Sequence, residues 1–228
     1  MSPWPFVGRE RESAHVRADL EAGRSVVLTG IWGIGRTSLA RHVANEMAKD
    51  WIFVFADCER GPGDVWRDLF AAIFPRAQAR RWNQVRSLKW TRFRVLNQRL
   101  EDPRRHVLVL DNIAQLSAPR LEVLRRLRER YLVVAIAEEF LPEQAKGTLC
   151  TALWARSPLR LGPLRRTATM AFFEECSRRH GFAYGAGEVR GLARATSGFP
   201  LGMAEAIAAQ LRRGATLGSS SGLPAQPR

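Results

Sequence analysis

The stretch "VVLTGIWGIGRTSLARHVA", Val26 to Ala44, carries an apolar β-branched run into a glycine-rich loop and then into an amphipathic helix. A short apolar run without alternation suits a strand buried on both faces. Gly30, Gly33 and Gly35 allow the tight turn that brings main-chain N–H groups to face one concavity. The N-terminus of the following helix adds partial positive charge, so the backbone alone forms an anion nest, whatever side chain stands at position 36. A glycine-rich turn in an α/β fold that binds no anion is the competing reading.

Outward from this stretch, strands alternate with helical patterns. "SVVLT" (Ser25 to Thr29), "WIFVFADC" (Trp51 to Cys58), "HVLVLD" (His106 to Asp111) and "YLVVAIA" (Tyr131 to Ala137) read as parallel strands, with a short fifth near "LRLGPL". Helices are expected at Thr37 to Lys49, Asp64 to Phe74, Trp82 to Glu101 and Pro119 to Arg130. Further helices at Arg166 to His180, Glu188 to Thr196 and Pro200 to Arg213 are too few and too short for an independent enzyme domain. The expected fold class is α/β, a parallel sheet with helices on both faces followed by a small all-helical lid. The boundaries are 1–158 for the α/β domain, 159–214 for the lid and 215–228 for a disordered tail rich in Ser, Gly and Pro.

The 228 residues are 46% hydrophobic, enough for a sizeable core. No segment approaches the roughly 20 apolar residues of a membrane span, and no secretory leader is visible, so a soluble cytoplasmic protein without membrane contact is expected. Cys58, Cys150 and Cys176 are widely spaced and read as reduced core thiols rather than disulfides or zinc ligands. The net charge of +14, from 36 basic and 22 acidic residues, suits an anionic partner such as nucleic acid. Only Lys49, Lys89 and Lys146 are lysine, which a GC-rich genome explains; that bias does not explain the excess of positive charge, though a merely basic surface remains the alternative.

The loop Gly30-Ile31-Trp32-Gly33-Ile34-Gly35-Arg36-Thr37 resembles a Walker A phosphate loop with arginine in place of lysine, and "HVLVLDN" resembles a Walker B strand. "FVGRERE" (Phe6 to Glu12) and "TSGFPLGMAEAI" (Thr196 to Ile207) are similar to the VGRE box and the lid GxP motif of AAA+ proteins and of the STAND class, the signal-transduction ATPases with numerous domains. The four motifs stand in the family's order and cover roughly Pro5 to Arg213. The resemblance implies ATP or ADP with Mg²⁺ as ligands. It implies nucleotide contacts from Val7, Gly30, Gly33, Ile34, Gly35, Arg36, Thr37, Ser38 and Pro200, with Val7 and Pro200 flanking the adenine. Thr37 and Asp111 would hold the metal, Asp111 through water, and Asp111, Asn112 and Arg36 would stand at the catalytic positions.

Three departures weaken the γ-phosphate machinery. The planar guanidinium of Arg36 is wider than an ammonium and bonds as a fork. Asn112 stands where many relatives carry a second carboxylate, and an amide can position water without accepting its proton. "AIAEE" puts Ala137 and Glu138 where relatives place a polar γ-phosphate sensor, and a carboxylate there repels phosphate unless it turns away. Nucleotide binding with slow or absent hydrolysis is the expectation.

"RRLRER" (Arg125 to Arg130) lies in the region from which AAA+ subunits project an arginine finger into a neighbour's site, which makes Arg126, Arg128 and Arg130 candidates beside the plainer reading of a solvated helix face. Pro75 to Arg105 holds ten basic residues against Glu101 and Asp102. An inner stripe of Trp82, Val85, Leu88, Phe93, Leu96 and Leu100 would leave Arg81, Arg86, Lys89, Arg92 and Arg99 facing a DNA or RNA backbone. Trp90 either stacks on a base or packs on the sheet. The functional expectation is a nucleotide-dependent switch or assembly factor of AAA+ or STAND type, associated with DNA as in transposition systems, forming homo-oligomers and recruiting a separate partner protein. A minimal STAND-like signalling or defence ATPase without nucleic acid, and a pseudo-ATPase scaffold, are the alternatives.

Overall fold

Parallel strands buried on both faces need a central sheet, and the chain builds one in the order β2-β3-β4-β1-β5. The structure, a computed structural model, describes residues 4–59, 61–74, 87–100 and 102–219. The strands are β1 Val26–Thr29, β2 Trp51–Asp57, β3 Arg105–Ile113, β4 Leu132–Ala137 and the two-residue β5 Leu159–Arg160, all pairing in parallel. Every residue of β1 is buried, as are the last five of β4. Val27, Leu108, Leu110, Val133 and Ala135 pack on one face of the sheet in the main apolar cluster, while their neighbours of opposite parity, Leu28, Val109, Val134 and Ile136, are buried as well. This is the expected α/β arrangement.

The helices are α1 Glu10–Glu21, α2 Arg36–Glu46, α3 Pro62–Ile73, α4 Leu88–Asn97, α5 Ala118–Arg128, α6 Glu143–Leu153, α7 Arg166–His180, α8 Ala186–Thr196 and α9 Pro200–Ser219. Two of them, α1 and α6, fall outside the sequence expectation. Asp19 anchors α1: it is buried and accepts from Arg24 at 3.0 and 2.8 Å, with His15 at 3.3 Å. The last helix continues to Ser219, into the stretch 215–228 read as a tail.

The basic helix differs from its expected form. Residues 82–86 and 101 of the helix read at Trp82 to Glu101, Arg86 among them, lie outside the described residues, as does Arg81. Within α4 the inner face is Thr91 and Val95, one helical turn apart, whereas Phe93 and Leu88 are exposed and Leu100 lies beyond the helix end. Leu88 and Phe93 are five residues apart, which puts them on different sides of a helix with 3.6 residues per turn. Trp90 takes the packing role: it meets Phe70 edge-on with ring centroids 5.2 Å apart.

The described residues form two compact units. One comprises residues 10–32 and 36–161; the other comprises 4–9, 33–35 and 162–219. The second has its own core of Phe172, Phe173, Cys176, Val189, Met203 and Ile207.

Candidate functional site

In the sheet unit, the side chains of interest lie at the C-terminal ends of the strands. Arg36 opens α2, and its guanidinium reaches the end of β4. One nitrogen donates to the Ala137 carbonyl at 2.9 Å and another to Glu138 Oε1 at 2.7 Å. The two side chains are 6% and 12% exposed, so the pair is nearly dry. Glu138 is held there by its own N–H, which donates to the Ile113 carbonyl at 3.1 Å. The carboxylate is turned onto the arginine of the loop.

Next to Arg36, the Thr37 hydroxyl donates to Asp111 Oδ2 at 2.7 Å. Asn112 follows with a positive φ of 58°, in the left-handed region that asparagine tolerates better than most residues, and the β3–β4 register shifts between Leu110 and Ile113. This bulge turns the Asn112 amide toward β2, where its Nδ2 donates to Asp57 Oδ1 at 2.9 Å. Asp57 pairs in register with Asp111 and was not among the expected site residues. The signal was present in the sequence: "WIFVFAD" is an apolar strand ending in aspartate, as "HVLVLD" is. Behind these groups, burial pushes the Cys58 thiol up to about 12, with Asp57 and Asp111 adding to the shift and Arg120 opposing it. All three cysteines are free thiols.

In the second unit, the middle of the loop is held by main-chain and packing contacts. Gly33 has φ +80°, and a Cβ there would come within 2.8 Å of the Leu201 Cβ. Its carbonyl accepts from the Leu201 N–H at 3.2 Å. Pro200 Cγ lies 3.9 Å from the Cβ position of Gly35, which has φ +94°. Buried Arg9, the arginine of the VGRE box, donates to the Ile34 carbonyl at 3.2 Å and to the Gly162 carbonyl at 2.6 Å. It is a second residue that the sequence reading passed over. Val7 packs against this unit's apolar core. Ser38 is exposed at the start of α2, and so is Trp32 on the loop, at 71%.

The donor set fits a phosphate ligand with Mg²⁺. Thr37 and Asp111 offer two hard oxygens, which suits Mg²⁺. Among the described residues no group of three or more His, Cys, Asp or Glu could hold a metal without other ligands, so phosphate oxygens and water would complete the shell. Gly30, Gly33 and Gly35 all adopt positive φ, and α2 starts directly after them, which fits an anion cradle of backbone donors.

A profile of the AAA ATPase domain matches residues 5–136. The chain belongs to the AAA ATPase domain family. Membership of that family implies a nucleotide-binding P-loop fold. Its fold is shared with Orc1 of Aeropyrum pernix, solved in complex with DNA, at TM-score 0.60 and 18% identity over 88% of this chain and 58% of Orc1. The RuvB Holliday junction branch migration motor of Thermotoga maritima aligns at TM-score 0.57 and 16% identity, over 89% of this chain and 61% of RuvB. Domain III of the Thermotoga maritima replication initiation protein DnaA aligns at TM-score 0.58 and 13% identity, over 96% of this chain and 87% of that domain. The chain thus spans less than two thirds of Orc1 and of RuvB. No curated protein matches it.

The remaining candidates of this AAA ATPase chain lie away from the loop. Arg126 bonds Glu122 at 2.8 Å on the exposed side of α5. The Arg128 guanidinium lies over the Trp154 ring, and Arg130 donates to the Gln98 carbonyl. Lys89 and Arg99 are exposed, while Arg92 is half-buried with its guanidinium 5.5 Å from the Trp66 ring centroid. No helix of the described residues is long and apolar enough to cross a membrane.

Proposed function

We propose that this chain is an ATP-binding regulator, a nucleotide-dependent switch or assembly factor with weak intrinsic hydrolysis. The single observation that carries this reading is the buried Arg36–Glu138 pair. The one cation of the loop is already neutralised, while the backbone cradle and the Thr37–Asp111 pair remain. Such a site keeps what binding needs and lacks what fast γ-phosphate transfer needs, a free charge clamp on the transferring group. In this reading residues 1–158 carry the nucleotide, 159–214 act as a lid, and Val7 and Pro200 flank the base. The tail 215–228 takes no part.

DNA association is the finer part of the proposal. It is supported by the net charge of +14 and by exposed Lys89 and Arg99. The Orc1 relative was solved with DNA, and RuvB is named for Holliday junctions, which supports the same direction at the level of fold. Arg126, Arg128 and Arg130 are then the residues to vary for a finger acting on a neighbouring copy.

The test is assembly followed by light scattering, with and without MgATP and duplex DNA. Growth of the particle only when both are present supports the regulator. Nucleotide-dependent assembly indifferent to DNA favours the signalling reading, and assembly indifferent to both favours the scaffold.

A further inference from the structure

We propose that the phosphate-loop site selects nucleoside diphosphates over triphosphates, with Glu138 as the residue that sets the selectivity; the proposal rests on the nucleotide-binding reading above.

Charge at the strand ends is the starting point. Asp57 ends β2, Asp111 lies near the end of β3, and Glu138 and Glu139 directly follow β4, Glu139 pairing with Arg160 at the end of β5; from Gly30 to Ser38 the only charged side chain is Arg36. That arginine is committed. Its two bonds to Ala137 and Glu138 are both short, and the pair is buried, so its charge is balanced before any ligand arrives. The nearby cation Arg120 donates to the Gln115 carbonyl at 3.2 Å. Buried Arg9 donates to two carbonyls.

A diphosphate asks little of these side chains. Backbone donors and the α2 N-terminus can satisfy its oxygens without residue 36. A third phosphoryl group brings further negative charge to the place where a loop cation would ordinarily receive it. Here that cation already holds Glu138, so the incoming group must either accept a carboxylate as neighbour or pull the guanidinium off it. An uncompensated like charge within about 4–6 Å changes such an equilibrium by a factor of ten or more. Breaking the pair instead leaves Glu138 buried without its partner, which is unfavourable for the same reason. Both routes penalise the triphosphate and spare the diphosphate. Thr37 and Asp111 would hold Mg²⁺, which would offset part of the charge for either ligand.

Isothermal titration calorimetry with ADP and with the non-hydrolysable analogue β,γ-imido-ATP, each with and without Mg²⁺, tests this without any turnover. The wild-type chain is expected to bind ADP about tenfold or more tightly than the analogue. In Glu138→Gln, which keeps an acceptor oxygen for Arg36 and removes the charge, the preference is expected to fall to about threefold or less. Equal affinities in the wild type overturn the proposal and leave the nucleotide-binding reading standing; so does a preference unchanged in Glu138→Gln. Absence of binding by both nucleotides overturns the phosphate-loop reading, and the selectivity with it. The wild-type ratio decides the matter even if the Gln variant does not fold.

Discussion

The side-chain amide of Asn112 donates to the Asp57 carboxylate at 2.9 Å, joining the ends of β3 and β2. The carboxylate that the motif lacks after Asp111 is therefore present one strand away, with an amide as its partner. Asn112→Asp would set two carboxylates against each other and is expected to cost about 1–3 kcal/mol at neutral pH. The exchange Asp57→Asn with Asn112→Asp should recover most of that loss, because it restores one amide and one carboxylate. A double-mutant cycle by urea denaturation checks it. An additive double variant would show that the two side chains do not interact in solution.

Glu138→Ala leaves a buried guanidinium without its counter-charge and should destabilise the fold by about 3–5 kcal/mol. Glu122→Ala removes the partner of Arg126 on a solvated helix face and should leave the melting temperature unchanged within error. Comparable losses in the two variants would mean that the Arg36 pair is solvated like any surface pair.

Glycines in the left-handed region separate two causes of strain. Gly23→Ala meets only the backbone cost of φ +73°, since nothing lies within 4 Å of its Cβ position, and should lose about 1 kcal/mol. Gly198→Ala has the same φ of +73° but would drive its Cβ into the main chain of Leu164, and should lose substantially more. Gly33→Ala is the functional counterpart: its Cβ would displace Leu201, so loss of nucleotide-induced thermal stabilisation is expected. Thermal melts with and without MgADP compare all three.

The thiols set an alkaline limit. Burial raises Cys58 to about 12 and Cys176 to about 11, above the ordinary range of a solvated thiol. Their contribution to stability is therefore complete below pH 9 and declines as pH rises toward 11 to 12, because the unfolded thiols ionise first. Cys58→Ala should flatten the fall in stability between pH 9 and 12, measured by urea midpoints. Thiol reagents should label the native chain slowly at pH 8 and all three cysteines readily in denaturant.

For the nucleic-acid proposal, Lys89→Glu and Arg99→Glu act on exposed charges and should each reduce the slope of log affinity against log salt by about 0.9 on duplex DNA. Arg92→Glu is expected to lower stability as well, because that guanidinium lies over Trp66. An unchanged slope in the Lys89/Arg99 double variant would remove α4 and the residues just after it from the interface.

The four long strands were readable because each has a continuous apolar run with a polar residue at its end or directly after it. Helix α1 was not, since only Val16 and Leu20 are its buried apolar residues, and Ser13 and Asp19 occupy the rest of its inner face. Helix α6 was missed because Gly147, Thr148, Cys150 and Thr151 carry little helical preference. Arg36 and Glu138 were each conspicuous, but their pairing depends on β4 lying beside β1, and a linear reading does not supply strand order. Asn112 was read as a lost base, whereas its bond to Asp57 required the β2–β3 register.

Strand order also governs how the nascent chain folds. Val26 must wait for Val134 and Leu28 for Leu159 before β1 acquires either of its sheet neighbours, while β2 and β3 can pair much earlier. Long-range parallel pairing of this kind is slow and leaves apolar segments open to misassociation. On the ribosome, the strand that carries the glycine loop is thus the last of the sheet to gain both neighbours, and a chain halted before Leu159 would leave the edge of Leu28 and Thr29 unpaired.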